Sequence, residues 1–300
     1  MSIFPTKILL ATDGSEEATL AAQTALDITN KTGSELHLIH VMHVPLYMDS
    51  SVERIRIVGE VEVDLRHEAR EFLMQQIEQI RTAGGSVARS YLKVGKSDKQ
   101  IVTQAEEIGA GLIVIGSRGL GGVRRALMGS ISDSVVRHAH CPVLVVRKEQ
   151  REEMESIFPT RILLATDGSE EAELALWTAV DLANSTNSEL QVATAGWPDI
   201  PEYVELLEEA YQRLEREAKQ TLDEQVKKIG QAGGVAAKAH LRMERLPGQE
   251  IAHLADEVDA GLIVMGSRGL GGMRRLLLGS VSDSVVRHSH CPVLIVRQER

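Results

Sequence analysis

Sixteen residues of this chain, Ile3 to Ala18 (IFPTKILLATDGSEEA), return from Ile157 to Ala172 with a single change, Lys7 to Arg161. Gly116 to Pro142 likewise returns as Gly266 to Pro292, with five changes in 27 positions. The offset is 154 residues at the first match and 150 at the second, so copy two is four residues shorter in between. Self-similarity of this kind means that whatever unit forms once must form twice. The 300 residues suit two domains of ~150 each, and a unit of that size buries about two-thirds of its unfolded surface. The expected division is a first domain over 1–147, a charged linker over 148–156 and a second domain over 157–300.

Within copy one, strand and helix periods alternate. Lys7 to Ala11 is a short aliphatic strand, Thr12 to Ser15 a turn, and Glu16 to about Lys31 a helix ending near Gly33. Glu35 to Val41 is a second strand. Apolar positions 61, 65, 69, 72, 73, 77 and 80 trace one face of a long helix that stops at Gly84-Gly85. A strand from Val87 to Lys93, a helix from about Asp98 to Ile108, a strand over 112–115 and a last strand from Val143 to Val146 complete the unit. Five strands alternating with four helices, without a hairpin signal, predict an α/β fold of two tandem, doubly wound, five-stranded parallel sheets. The composition agrees: 43% hydrophobic residues but only 3% aromatics describe an aliphatic core.

Charge and cysteine usage narrow the classes. The net charge of −10 argues against nucleic acid as a partner. Residues 1–147 hold 16 basic and 17 acidic side chains, and residues 157–300 hold 15 and 22. Much of that excess falls between Asp199 and Glu224, read as a solvated helix face or as a docking surface for a basic partner. No apolar run approaches the roughly 20 residues of a membrane span, and no signal peptide is evident. The two cysteines, Cys141 and Cys291, are no disulfide framework. A cytoplasmic protein without a membrane or nucleic-acid partner is expected.

The chemistry concentrates in the second repeated block. Gly116-Ser117-Arg118-Gly119, nine residues, then Gly129-Ser130 reappears as Gly266-Ser267-Arg268-Gly269, nine residues, then Gly279-Ser280. Each block follows an aliphatic strand and precedes a helix that starts at the serine, an arrangement that suits an anion. Each also carries three arginines and no acid (Arg118, Arg124 and Arg125; Arg268, Arg274 and Arg275) inside an acidic chain. A polyphosphate explains that local bias, although the arginines also fit a surface or an interface. Glycines alone could serve a tight turn, Asp13 could cap the first helix, and Ser130 could be an N-cap. The strand-one turn and the glycine loop border one crevice if their strands are neighbours.

On these motifs, almost the whole chain resembles the universal stress protein family as a tandem pair. The mark is the G-x2-G-x9-G-[S/T] pattern of its ATP-binding members. The resemblance implies a Rossmann-like domain of the adenine nucleotide alpha hydrolase type, with ATP and its magnesium as the ligand of each copy. It places Gly116, Gly119, Gly129, Ser130 and Ile131 at phosphate and ribose, with Ala11, Thr12 and Asp13 in the adjoining turn; the basic bias of the loop adds Arg118, and Arg268 in copy two, as phosphate contacts. Asp13 matches the acid on the ribose and metal side, and Val41 the residue whose backbone reads adenine. The counterparts are Gly266, Arg268, Gly269, Gly279, Ser280, Val281, Ala165, Thr166, Asp167 and Ala195. Copy two departs at the adenine position, where His40-Val41 becomes Thr194-Ala195, followed by Trp197-Pro198. The resemblance also implies that the last strands pair the two copies as an intramolecular pseudo-dimer, with a homodimer of tandem chains beyond it and a protein partner the sequence does not identify.

Three functional classes follow. A nucleotide-dependent regulatory protein leads. A slow ATPase or autophosphorylating enzyme is second; no dedicated base and no G-x4-G-K-[S/T] loop is present, so no catalytic residue is assigned. An interaction module without nucleotide is third. The segment Arg137-His138-Ala139-His140-Cys141-Pro142 offers zinc-type ligands, but His138 closes a helix and Cys141 leads into a strand, so a structural role is expected.

Overall fold

The computed structural model describes residues 4–42, 52–120, 128–147, 160–196, 205–243, 246–270 and 278–297, with backbone only for 52–62, 205–208 and 210. The linker and the residues Arg124, Arg125, Arg274, Arg275, Trp197 and Pro198 therefore lie outside the described residues. The first half runs β1 (Lys7–Ala11), α1 (Glu16–Thr32), β2 (Glu35–Met42), α2 (Val52–Thr82), β3 (Arg89–Val94), α3 (Ser97–Ile108), β4 (Leu112–Gly116), α4 (Ser130–His138) and β5 (Val143–Val146). The second runs β6 (Arg161–Ala165), α5 (Glu170–Thr186), β7 (Glu189–Ala195), α6 (Glu205–Gln231), β8 (Ala236–Arg242), α7 (Pro247–Glu257), β9 (Leu262–Gly266), α8 (Ser280–His288) and β10 (Val293–Val296).

Local sequence explains the element limits. Ser15 caps α1 by accepting a hydrogen bond from the Ala18 amide at 3.2 Å, and Gly33 ends it in the left-handed conformation, φ 69°. Along β1 the side chains alternate: Ile8 and Leu10 join the core shared with α1 and α2, Leu9 and Ala11 the core shared with α3 and α4. Both faces are covered, as an all-aliphatic parallel sheet requires.

Each half orders its strands 3-2-1-4-5, all parallel, and the two sheets merge into one of ten strands, β3-β2-β1-β4-β5-β10-β9-β6-β7-β8. The join is the antiparallel pair β5–β10, with Leu144 opposite Leu294. Each of the two apolar cores continues across this join, with residues of both halves in each. All eight residues of the two strands are 3% exposed or less, and full burial of such a side chain is worth ~1.5–3 kcal/mol. Beside the join, Arg137 bonds Asp133 at 2.9 Å and Asp283 at 2.5 Å, while Arg287 bonds Asp283 and Asp133, each at 2.9 Å. This reciprocal ring links α4 to α8. Burial disfavours the Asp283 carboxylate, but the hydrogen bonds and charges of Arg287 and Arg137 prevail and hold its pKa below the usual range.

Among the described residues no helix is long and apolar enough to cross a membrane.

Candidate functional site

β1 and β4 are neighbours, with Ala11 level with Ile115, so the turn after one and the loop after the other open on the same edge of the sheet. The chain continues from β1 toward β2 on one side, while β4 lies on the other. The crevice between them is therefore the switch point at which such sheets bind ligands.

In the first half the turn and the glycine loop are tied by Asp13. One carboxylate oxygen accepts from the Ser15 amide at 3.0 Å, the other from the Leu120 amide at 3.1 Å. A side chain on Gly119 would collide with that second oxygen, so the glycine is required by the clamp. Gly116 is required by packing: a Cβ there would stand 2.9 Å from the Glu17 carbonyl carbon and 3.0 Å from the Ala18 nitrogen. Asp13 does not cap α1. Ser15 does, and Asp13 bridges the turn to the loop instead. Ser15 also donates to the Arg118 carbonyl at 3.3 Å.

The second correction concerns α4. Its N-cap is Gly129, without a side-chain cap, and Ser130 is already the first helical residue. Gly129 is itself fixed by donating to the Ser117 carbonyl at 2.8 Å, and Ser132 Oγ donates to the Gly116 carbonyl at 2.7 Å. The first intrahelical bond is Asp133 N–H to Gly129 O. The N–H groups of Ser130, Ile131 and Ser132 therefore have no intrahelical acceptor, and the positive end of the helix dipole faces the loop. Ile131 is 43% exposed at this end.

Arg118 takes a different direction from a free phosphate ligand. Its Nε and Nη2 donate to Glu17 Oε1 at 2.8 and 2.5 Å, and Ser117 Oγ donates to Glu17 Oε2 at 2.5 Å. Glu17 is 5% exposed. A buried carboxylate with three donors holds the first two residues after Gly116 from below. Sequence reasoning passed over Glu17 because an acid in a first helical turn reads as a solvated dipole partner. Its only signal was exact retention as Glu171. There the arrangement recurs: Ser267 and Arg268 both bond Glu171, Ser169 N donates to Asp167 at 3.0 Å, and Leu270 N donates to Asp167 at 3.0 Å. A Cβ on Gly269 would again collide with the aspartate, and Gly279 is the uncapped start of α8, followed by Ser280 and Val281.

The strand-two side of the crevice differs between halves. In the first, Val41 packs on the α3–α4 core beside Ile39. His40 points to the other face, where Nδ1 donates to the Thr12 carbonyl at 2.9 Å and the ring lies 4.6 Å from that of Phe72. Gln76 accepts from Thr12 Oγ1 at 3.3 Å. In the second half Ala195 takes the place of Val41 on the same core. Thr194 and Gln225, both buried, stand where His40 and Gln76 do, and Thr194 Oγ1 and Gln225 Oε1 have no hydrogen-bond partner among the described residues. Thr221, beside Gly168, replaces Phe72. Thr166 N–H still donates to the Ala193 carbonyl at 2.9 Å, as Thr12 N–H does to Ile39 at 3.0 Å, so the strand ends Ala11 and Ala165 are held alike.

The histidine-cysteine segment is spread out. His138 Nδ1 donates to the Ser134 carbonyl at 2.7 Å, His140 pairs with Glu106, and Cys141 is buried. Among the described residues no three His, Cys, Asp or Glu side chains gather as a metal site.

Comparison with known proteins matches both halves of the chain to one family. The sequence model described as the Universal stress protein family matches residues 5–147 and again residues 159–297. A universal stress protein of Mycobacterium tuberculosis is 33% identical over 198 residues, 63% of this chain and 62% of that protein. One of Mycolicibacterium smegmatis is 33% identical over 213 residues, 71% of this chain and 66% of that protein. The match thus spans under two-thirds of the length of these relatives. The crystal structure of a universal stress protein from Archaeoglobus fulgidus has the same fold, with a TM-score of 0.69 at 24% identity, covering 99% of this chain and 98% of that one.

Proposed function

The chain belongs to the universal stress protein family, and from that premise we propose that it is a cytoplasmic, ATP-binding stress-response protein with one nucleotide site in each half. The observation that carries this reading is the crevice built twice. A loop clamped by an aspartate leads to a helix whose first N–H groups have no acceptor among the described residues and which has no side-chain cap. That donor set fits the phosphates of a nucleotide, and the glycines bring backbone rather than side chains to it.

In the first half the backbone of Gly129, Ser130 and Ile131 would hold phosphate, with the Ser130 hydroxyl as a further donor. Gly116 to Gly119 form the loop wall. Arg118 serves by fixing that wall through Glu17. Asp13 keeps unused acceptor capacity on both oxygens for a ribose hydroxyl or for the magnesium that accompanies ATP. Thr12 and Ala11 carry that acid, and the Val41 backbone faces the base. In the second half Gly279, Ser280 and Val281, Gly266 to Gly269, Asp167, Thr166, Ala165 and Ala195 take the same parts. When bound, ATP supplies the charge that the open helix ends attract. Occupancy then acts as a signal by favouring one arrangement of the chain over another. We assign a dimer of tandem chains and an unidentified protein partner to the downstream step.

The test is chromatographic analysis of nucleotide released on denaturing protein purified without added ligand. Two ATP per chain supports the reading. One per chain points to the Thr194–Ala195 half as the degenerate one. None, with no binding of added magnesium-ATP, moves the protein to the interaction-module class. Hydrolysis above background that Asp13→Ala abolishes would make it an enzyme.

A further inference from the structure

Each half closes its last strand with an arginine that reaches into the other half. Arg147, after β5, donates from Nη1 to the carbonyls of Ser289 at 2.7 Å and Arg287 at 3.2 Å, and from Nη2 to Val286 at 3.0 Å. Arg297, after β10, donates from Nη1 to Ala139 at 2.6 Å and Arg137 at 3.4 Å, and from Nη2 to Val136 at 2.5 Å. These carbonyls form the ends of α8 and α4, where a helix leaves acceptors unsatisfied and carries its negative pole. The C-terminus of each helix is therefore capped from across the join.

The same arginines are rooted in their own glycine loops. Ser117 N–H donates to the carbonyl of Val146, the residue before Arg147, at 2.6 Å, and the Ser117 hydroxyl bonds Glu17. In the second half Ser267 N–H donates to Val296, the residue before Arg297, at 2.7 Å, and its hydroxyl bonds Glu171. Burial lowers the pKa of Arg147, Glu17 opposes this, Arg118 lowers it further and Cys291 of the other half raises it, so the arginine feels charges of its own loop and of the half it reaches into. At 1.5 Å per residue the nine-residue α8 places about 13 Å between the capped end and Ser280 at its start. An unbroken path thus runs from Glu17 through Ser117, Val146 and Arg147 to α8 and the opposite loop. A second runs the other way.

We propose that Arg147 and Arg297 are positioning residues that couple the two glycine loops, each holding the helix whose first turn completes the loop of the other half. Only the identity of the ligand rests on the nucleotide reading above. A ligand that shifts α8 along its axis moves the carbonyls that Arg147 holds and, through Val146, the Ser117 end of the first loop. Two rigid helices joined by bonds at both ends are a physical route for such coupling.

The experiment uses the full chain, with Arg147→Met, Arg297→Met and the conservative Arg147→Lys. Without nucleotide, hydrogen exchange is followed in peptides covering 128–138 and 278–288. Arg147→Met should speed exchange in 278–288 by about tenfold and leave 128–138 within about twofold. Arg297→Met should do the reverse, and Arg147→Lys should recover part of the protection. An equal rise in both helices, or a change confined to 143–147, overturns the proposal, since a general interface role would produce either. A second arm titrates the chain with magnesium-ATP in a calorimeter. Because the two walls differ, each site is compared with itself: the first site's affinity in the wild type should differ by at least about threefold from its affinity in a chain whose second site carries Ser280→Asp, and either Met variant should abolish that difference. Independent sites in the wild type overturn the coupling. A wild type that binds no ATP sinks the nucleotide reading, while the exchange arm still decides the arginines.

Discussion

Asp13 and Asp167 make the same two hydrogen bonds in their respective halves, to the amide two residues on and to the leucine after the glycine pair, with lengths agreeing within 0.1 Å. His40 and Thr194, also at matched positions, differ: one is hydrogen-bonded and lies tilted against the Phe72 ring, the other is buried with a hydroxyl that has no partner among the described residues. The contrast follows from what each position must satisfy. The aspartate clamps two backbone segments, and the glycine opposite leaves no room for another solution. The strand-two position fills space against a helix, and space can be filled in several ways. Change therefore shows on the wall of the crevice and not at the aspartate, the spaced glycines or the serine that ends the loop.

The largest test of this contrast is at the invariant end. Glu17→Ala leaves Ser117 and Arg118 without their acceptor and should cost about 3 kcal/mol in urea unfolding, and Glu171→Ala about the same. A difference above about 1 kcal/mol between the two would break the claimed equivalence. Next comes converting one wall into the other. His40→Thr with Phe72→Thr imposes the second half's residues on the first and should cost about 1–3 kcal/mol through lost ring packing and the lost bond to Thr12. ATP affinity of the first half should then approach that of the second; an unchanged ratio would show that the wall does not set affinity.

Acid should separate the halves more gently. His37 and Tyr91 pair on the outer strands of the first half at 3.2 Å, where the second has Gln191 and His240 at 2.7 Å. Burial, chiefly, holds His240 below the usual imidazole value of 6.5; Lys238 and Arg242 add to this and Glu257 opposes it. A depressed folded-state pKa favours the neutral ring, so this contribution is complete above about pH 6.5 and is lost as pH falls through the folded value. Between pH 7.5 and 5.5, protection in Ala236–Arg242 should fall more than in Arg89–Val94, and His240→Tyr should flatten that fall. Equal losses would count against it. The smallest effect is Thr194→Val, which removes an unpaired hydroxyl at constant shape and should stabilise by up to about 1 kcal/mol in thermal unfolding.

Much of this was legible along the chain because strand, turn and helix signals are local. The aliphatic runs at Lys7–Ala11 and Leu112–Gly116, the turn at Asp13 and the helix start at Ser130 all lie within a few residues of the groups that define them. Strand limits moved slightly: β2 extends to Met42 and β3 begins at Arg89, two residues after Val87. What the sequence hid acts at a distance. Glu17 meets Ser117 a hundred residues later, Arg137 meets Asp283 in the other half, and Arg147 bonds backbone carbonyls, which leave no trace in residue identity. Residue type offers Asp13 as the cap, whereas Ser15 fills that role and Asp13 bonds the Leu120 amide, a partner more than a hundred residues away.

The antiparallel meeting of β5 with β10 within one polypeptide has a consequence for dosage and descent. Two separate chains joined by four-residue strands would part on dilution, whereas a tether keeps the local concentration of one half around the other fixed at any expression level. A symmetric pair of identical chains also carries every substitution twice. Here one half can hold histidine and the other threonine at matched positions, as His40 and Thr194 do. Fusion has turned an obligatory mirror into two positions that selection can address separately.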